Sequence, residues 1–260
     1  MEIDQQGLYQ TVSDMYTMVN DELGERYQPF INYGYGLYPA IELAGRDAPS
    51  AIYAQLYHYV LGKVDVAGRE VLEIGSGRGG GCHYIKQYLN AAAATGIEYM
   101  AQSVEISQAS FNGIEGLTFF PGDAGHLDLP GESADIVVNI ESSHCYPDLQ
   151  GFFNEVIRVL RPGGYFCYAD LMTPEMSQQV QDIVLQLPVE RRAREDISSG
   201  VVEGLSLINE RKLQLINDMT LSPERKQWWI NEWACTGTPI WEQLRSGELV
   251  YMHYVLQKAL

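Results

Sequence analysis

Basic residues are scarce in this chain. It carries 17 lysines and arginines against 34 aspartates and glutamates, a formal charge of −17 over 260 residues. Such a surface repels a phosphate backbone, and the one basic cluster, Arg191, Arg192 and Arg194, is interrupted by acids, so no nucleic-acid partner is expected. Cysteine is scarce too. Cys82, Cys145, Cys167 and Cys235 lie far apart with no CxxC pair, which excludes a zinc knuckle and argues for reduced thiols and a cytoplasmic setting. No apolar run is long enough to cross a membrane, and the start, MEIDQQGLYQ, has neither a basic nor an apolar leader segment, so a soluble, unsecreted protein without a membrane partner is expected. Repeats, linkers and low-complexity tracts are missing. So are HxxxH, HExxH and carboxylate clusters, and no metal is expected.

What is present is an alternation of short apolar runs with helical patterns. Strands are expected at Glu70–Gly75, Ala94–Glu98, Leu117–Phe120, Ile136–Ile140 and Gly164–Ala169, a sixth near Arg194–Ile197 and a last one from Leu249. Helices are expected between them at about Gly80–Asn90, Met100–Asn112 and Leu149–Leu160. Strand, helix, strand at this spacing means an α/β fold with a doubly wound parallel sheet and ligands at the carboxyl ends of its strands. Two helices flanking the aromatic loop INYGYGLYP precede the first strand. A helical stretch holding Trp228, Trp229, Trp233 and Trp241 precedes the last. The chain therefore divides into a lid, residues 1–65, and a core, residues 66–260, which includes a helical cap at 198–247.

The stretch VLEIGSGRGGG has a GxGxxG at Gly75, Gly77 and Gly80, with Glu73 just ahead of it. A dianionic pyrophosphate is normally met by backbone N–H groups and a helix dipole alone. A carboxylate in that place suits a ligand with a cationic group instead, such as the α-ammonium of S-adenosylmethionine. Glu98 ends the second strand, where it can accept from ribose hydroxyls, and GDAGHLDLP offers Asp123 to an adenine amino group. ADIVVNIESSHCYPD and VLRPGGYFCYADL come next.

In this order these residues resemble the class I S-adenosylmethionine-dependent methyltransferases over about Val71–Leu171. The resemblance implies a seven-stranded, mostly parallel, Rossmann-like sheet whose last strand runs antiparallel. It implies S-adenosylmethionine as cofactor over Gly75, Ser76 and Gly77, with Glu73, Glu98, Tyr99, Gln102, Asp123, Ala124, Asn139 and Glu141 around it. NYGYG, ESSHCYPD and the closing GTPIWEQLRSGELVYMHYVLQK are similar to a natural-product branch. That branch contains phthiotriol-lipid, macrolactam and sugar O-methyltransferases and a C-methyltransferase of prenylated indoles.

The expected activity is therefore O-methylation of a hydroxyl on a bulky, largely apolar small molecule: a polyketide, lipid or glycoside. His144, after the fourth strand, is the candidate general base and Asp170, ending the fifth, orients it, as a His and an Asp do at matching positions of the sugar O-methyltransferases. Tyr33, Tyr35, Tyr38, Trp228, Trp229 and Trp233 are candidates for the substrate wall. His83 and His126 are read as surface histidines near the cofactor, His58 and His253 as structural. Three alternatives stay open: C-methylation of an alkene through a carbocation, a cyclase-like protein that binds the cofactor without methyl transfer, and an NAD-dependent oxidoreductase. Glu73 and the lack of a YxxxK count against the last. A homo-oligomer is compatible with the sequence.

Overall fold

Alternation along the strands builds the molecule. The computed structural model describes residues 5–36 and 39–260. Its centre is a seven-stranded sheet of β1 (Glu70–Ile74), β2 (Ala93–Glu98), β3 (Leu117–Pro121), β4 (Ala134–Ile140), β5 (Leu160–Met172), β6 (Val189–Asp196) and β7 (Val250–Lys258). The strand order is β3-β2-β1-β4-β5-β7-β6. The first five strands pair in parallel, and β7 runs antiparallel between β5 and β6. This is the doubly wound, seven-stranded α/β sheet expected. β1 and β4 start neighbouring halves of the sheet, so the crevice between their carboxyl ends is the switch point where such folds bind ligands.

Because side chains alternate across a strand, neighbouring apolar residues serve opposite faces. Val71, Val138, Tyr251 and Val255 join a core with α2 (Ala51–Leu61), α3 (Gly80–Tyr88), α4 (Ala101–Ser110) and α7 (Ser198–Leu207). Leu72, Val137, Met252 and Tyr254 join a second core with α5 (Leu149–Val159) and α6 (Pro174–Gln186). Helix starts are set by local chemistry: Asp148 accepts from Gly151 N–H to open α5, and Thr173, followed by Pro174, accepts from Met176 N–H to open α6.

Two expectations need correction. The sixth strand begins at Val189, not near Arg194, and its VERRARED hid it because as an edge strand it turns charged side chains to water along most of its length. The fifth strand begins at Leu160, so RPGG lies within it rather than ahead of it.

The leading segment divides. α2 belongs to the first core, through Tyr53, Leu56 and Val60. Further out, α1 (Gln5–Leu23) packs Val19 and Leu23 against Ile216 of α8 (Asn209–Asn217) and Trp229 of α9 (Pro223–Glu232), a third, smaller core. α1 and α9 are tied by Glu22, which accepts from Arg225 Nε at 2.8 Å and from Trp229 Nε1 at 2.5 Å. The last helix, α10 (Pro239–Ser246), packs on α7.

Candidate active site

The carboxyl ends of β1, β2 and β4 open into a cavity of about 1510 Å³, its open mouth included. Its floor is the turn after β1. Gly75 has φ +74°, and a Cβ there would lie 2.0 Å from Ser142 Oγ and 2.7 Å from Tyr146 Oη, so only glycine fits. Gly77 N–H donates to Glu98 Oε2 (2.8 Å) and Met100 N–H to Glu98 Oε1 (2.9 Å), which fixes the carboxylate at the end of β2.

Of the residues expected at the cofactor, Gly75, Ser76, Gly77, Glu98, Tyr99, Asp123, Ala124 and Glu141 line this cavity. Glu73, Gln102 and Asn139 do not. Glu73 shares the strand face of Val71, so its side chain goes under α3: Oε1 accepts from Tyr57 Oη at 2.6 Å and sits where a side chain on Gly81 would be. Its Oε2 is buried and unpartnered. Burial pushes its carboxyl up to about 7, against bonds from Cys82 and Tyr57. Asn139 donates to the Ile74 carbonyl (2.8 Å) and to Tyr146 Oη (3.1 Å), joining β4 to β1 beneath the floor. Gln102 turns to Asp21 of α1 (2.8 Å).

The wall beyond β4 and β5 holds the reactive groups. Asp170 is fully buried. Its Oδ2 accepts from Ser143 Oγ (2.6 Å) and His144 N–H (3.0 Å), its Oδ1 from Leu171 N–H (2.8 Å), and Oδ1 lies 2.7 Å from His144 Nδ1. The His144 side chain, 32 % exposed, lines the cavity. Burial opposes its protonation, but the Asp170 carboxylate and its hydrogen bond outweigh burial and hold the imidazole well above its usual range. Glu141, at φ +53°, turns its carboxylate back so that Oε2 accepts from Tyr33 N–H (2.9 Å) and Tyr251 Oη (2.8 Å). Burial pushes that carboxyl up to about 7.

Tyr33, Trp228, Trp229 and Trp233 also line the cavity. Tyr35 does not: Gly34, at φ +79°, turns the chain, and the Tyr35 ring packs against Gly200 and Tyr59. Tyr38 lies outside the described residues. His83 is buried, its Nε2 2.9 Å from Asp47 and its ring stacked on Phe111, so it is neither at the surface nor at the cofactor. His58 and His253 are held by Tyr84 and the Val60 carbonyl, as structural histidines.

Sequence reasoning misses the α1 contribution. Val12, Met15, Tyr16 and Val19 line the cavity. Their spacing of three, four and seven is a helical stripe legible in the sequence, though nothing local says what it faces. Arg78 is missed as well. It lines the cavity and ties α1 down, its guanidinium donating to Asn20 Oδ1 and to the Gly24 and Arg26 carbonyls.

A glycine turn at the switch point, with Ser76 Oγ and Glu73 Oε2 buried and unpartnered beside it and an acid ending β2, fits an adenosyl amino acid carrying a cationic amine. The chain belongs to the class I S-adenosylmethionine-dependent methyltransferases, and S-adenosylmethionine is its cofactor. The family profile described as a methyltransferase domain matches residues 72–168. Over 94 % of its length the chain is 33 % identical to the phthiotriol/phenolphthiotriol dimycocerosates methyltransferase of Mycobacterium tuberculosis, covering 90 % of that protein. It is 34 % identical, over 88 % of this chain and 83 % of the relative, to a fatty-acid O-methyltransferase of Mycolicibacterium smegmatis. Among solved structures, the [4+2]-cyclase SpnF shares the fold, with a TM-score of 0.74, 20 % identity and 96 % of each chain covered. No helix among the described residues is long and apolar enough to cross a membrane.

Proposed function

We propose that this methyltransferase acts on a hydroxyl of a bulky, largely apolar lipid or other secondary metabolite, with His144 as the general base. The observation that carries the reading is the 2.7 Å pair of His144 Nδ1 and Asp170 Oδ1 in the wall of the cofactor's own cavity. With Nδ1 engaged, Nε2 is the nitrogen left to take a hydroxyl proton, and the buried carboxylate fixes that tautomer and stabilises the imidazolium. Both mycobacterial relatives carry lipid names, which supports the substrate class.

S-adenosylmethionine supplies an activated methyl group on a sulfonium. The chain's part is to hold the acceptor close and dry and to remove its proton. Gly75, Ser76, Gly77, Glu98, Tyr99, Asp123 and Ala124 are assigned to the cofactor, and Glu73, buried under α3 beside that turn, acts on its ammonium through the charge of the carboxylate rather than by lining the cavity. Tyr33 and the tryptophans of α9 are assigned to the acceptor, beneath a roof formed by α1, residues 27–36 and α9.

His144→Ala should lower turnover by about 10²- to 10⁴-fold, the usual worth of a general base. Affinity for S-adenosylhomocysteine should stay within about threefold, because the lost step is proton transfer rather than binding. Near-normal turnover would sink the base assignment. One observation favours a second reading, C-methylation of an alkene. Tyr16, Tyr33, Trp228 and Trp233 place aromatic rings at the cavity, and their faces stabilise a carbocation. In that case prenylated acceptors are methylated by the His144→Ala variant without loss.

A further inference from the structure

The charges on the cavity wall are one-sided. Four carboxylates line it, Glu98, Asp123, Glu141 and Glu232, and among the described residues the only lysine or arginine to do so is Arg78. Arg78 directly follows the Ser76–Gly77 turn, on the cofactor's side, and its guanidinium is engaged by Asn20 and two carbonyls of the α1 end. On the acceptor's side stand Glu141, which directly follows β4, and Glu232, which ends α9 beside the tryptophans.

Three other cations lie near enough to matter. His144 is paired with Asp170, so that the two together bring no net positive charge. Lys212 is buried, donates Nζ to the Trp233 carbonyl at 2.8 Å and does not line the cavity. Burial draws its amine down to about 8, towards the neutral form. Arg225 is paired with Glu22 and stacked on the Trp228 ring at 3.9 Å, likewise off the wall.

An anion placed beside the methyl group would lose its water and, apart from the cofactor's own sulfonium, gain no cation from the wall, and it would share the cavity with the carboxylates of Glu141 and Glu232. Much of the remaining wall is apolar, from Val12, Met15 and Val19 of α1 to Leu171 and Trp233, and its other polar members, among them Asn32 and Ser142, are uncharged. We infer that the acceptor is an uncharged molecule with a long apolar body, and that neither a free carboxylate nor a diphosphate is accommodated at the methyl-transfer position. The inference rests on the proposed use of this cavity for the acceptor. It also sets the chain apart from its fatty-acid O-methyltransferase relative, whose named substrate is an acid.

Binding tests it without methyl transfer. The protein saturated with S-adenosylhomocysteine is titrated with decanol and with decanoate, then with geraniol and with geranyl diphosphate, each with and without Mg2+. Quenching of the cavity tryptophans is the readout. At pH 8, above the value of about 7 reached by Glu141, each neutral ligand should bind at least about tenfold more tightly than its anionic partner. Glu232→Lys, at an exposed position on the rim, should narrow that ratio by about tenfold. Equal or tighter binding of either anion, failure of decanol to bind, or a ratio indifferent to Glu232→Lys would each overturn the inference. Transfer of labelled methyl to decanol is scored separately. Tight decanol binding with no transfer would count against the O-methylation reading and leave the neutral-acceptor inference standing.

Discussion

Replacing Asp170 by asparagine keeps the shape of the side chain and removes its charge, and the four bonds around it set the consequences. Oδ2 takes the Ser143 hydroxyl and the His144 N–H, while Oδ1 takes the Leu171 N–H and faces His144 Nδ1. Whichever way the amide turns, its NH2 meets a backbone N–H that then loses its acceptor, which costs about 1–3 kcal/mol of stability. If the NH2 faces His144, Nδ1 must accept and the proton moves to Nε2, the nitrogen needed as base. Turnover should fall by about 10²- to 10⁴-fold. The charge itself has a separate signature. A charge-assisted bond is worth about 1.5–3 kcal/mol, and one pH unit is about 1.36 kcal/mol, so the acid limb of the rate profile should move down by about one to two units. The sign comes from the raised imidazole pKa. The base must be neutral, so wild-type activity rises as pH climbs through a value above 6.5. The stability contributed by the pair is full below the unfolded histidine value and is lost over that same climb. Initial rates of methyl transfer over about pH 5.5 to 10 measure both effects. An unmoved limb with near-normal turnover would refute the His144 and Asp170 assignment.

Glu73, raised by burial to about 7 from an ordinary 4.5, holds a proton in the free protein that its unfolded form gives up, so it lowers stability by about 3 kcal/mol as pH rises across that interval. An ammonium bound in the cavity nearby reverses this through its field: binding of S-adenosylhomocysteine near pH 7 should release protons, seen by calorimetry in buffers of different ionisation enthalpy, and Glu73→Gln should abolish the release. If the wild type releases none, the carboxylate does not sense the ammonium. Gly75→Ala brings a Cβ onto Ser142 Oγ at φ +74° and should weaken S-adenosylhomocysteine at least about tenfold, with about 1–3 kcal/mol of stability lost in denaturant titration. Unchanged affinity would mean that this turn does not shape the cofactor site.

The sequence by itself determined what depends on near neighbours. The order of apolar runs and helical stripes pointed to the parallel sheet, because periodicity reports which face of an element is buried. The spacing of Glu73, Gly75, Glu98 and Asp123 pointed to a cofactor site at the ends of the first three strands, because each lies near the end of its own strand or in the turn after it. Separation in space between residues far apart along the chain was decided only by the tertiary structure. Strand alternation put Glu73 under α3, on the face of Val71, and Asn139 beneath the floor, although both sit in cofactor motifs. The left-handed turn at Gly34 sent Tyr33 into the cavity and Tyr35 away from it. The stripe of Val12, Met15, Tyr16 and Val19 found its meaning through Glu22 meeting Arg225 and Trp229, some two hundred residues on. A helix records in its own sequence that it has an apolar face, but the surface that face covers is chosen by the packing of the whole chain.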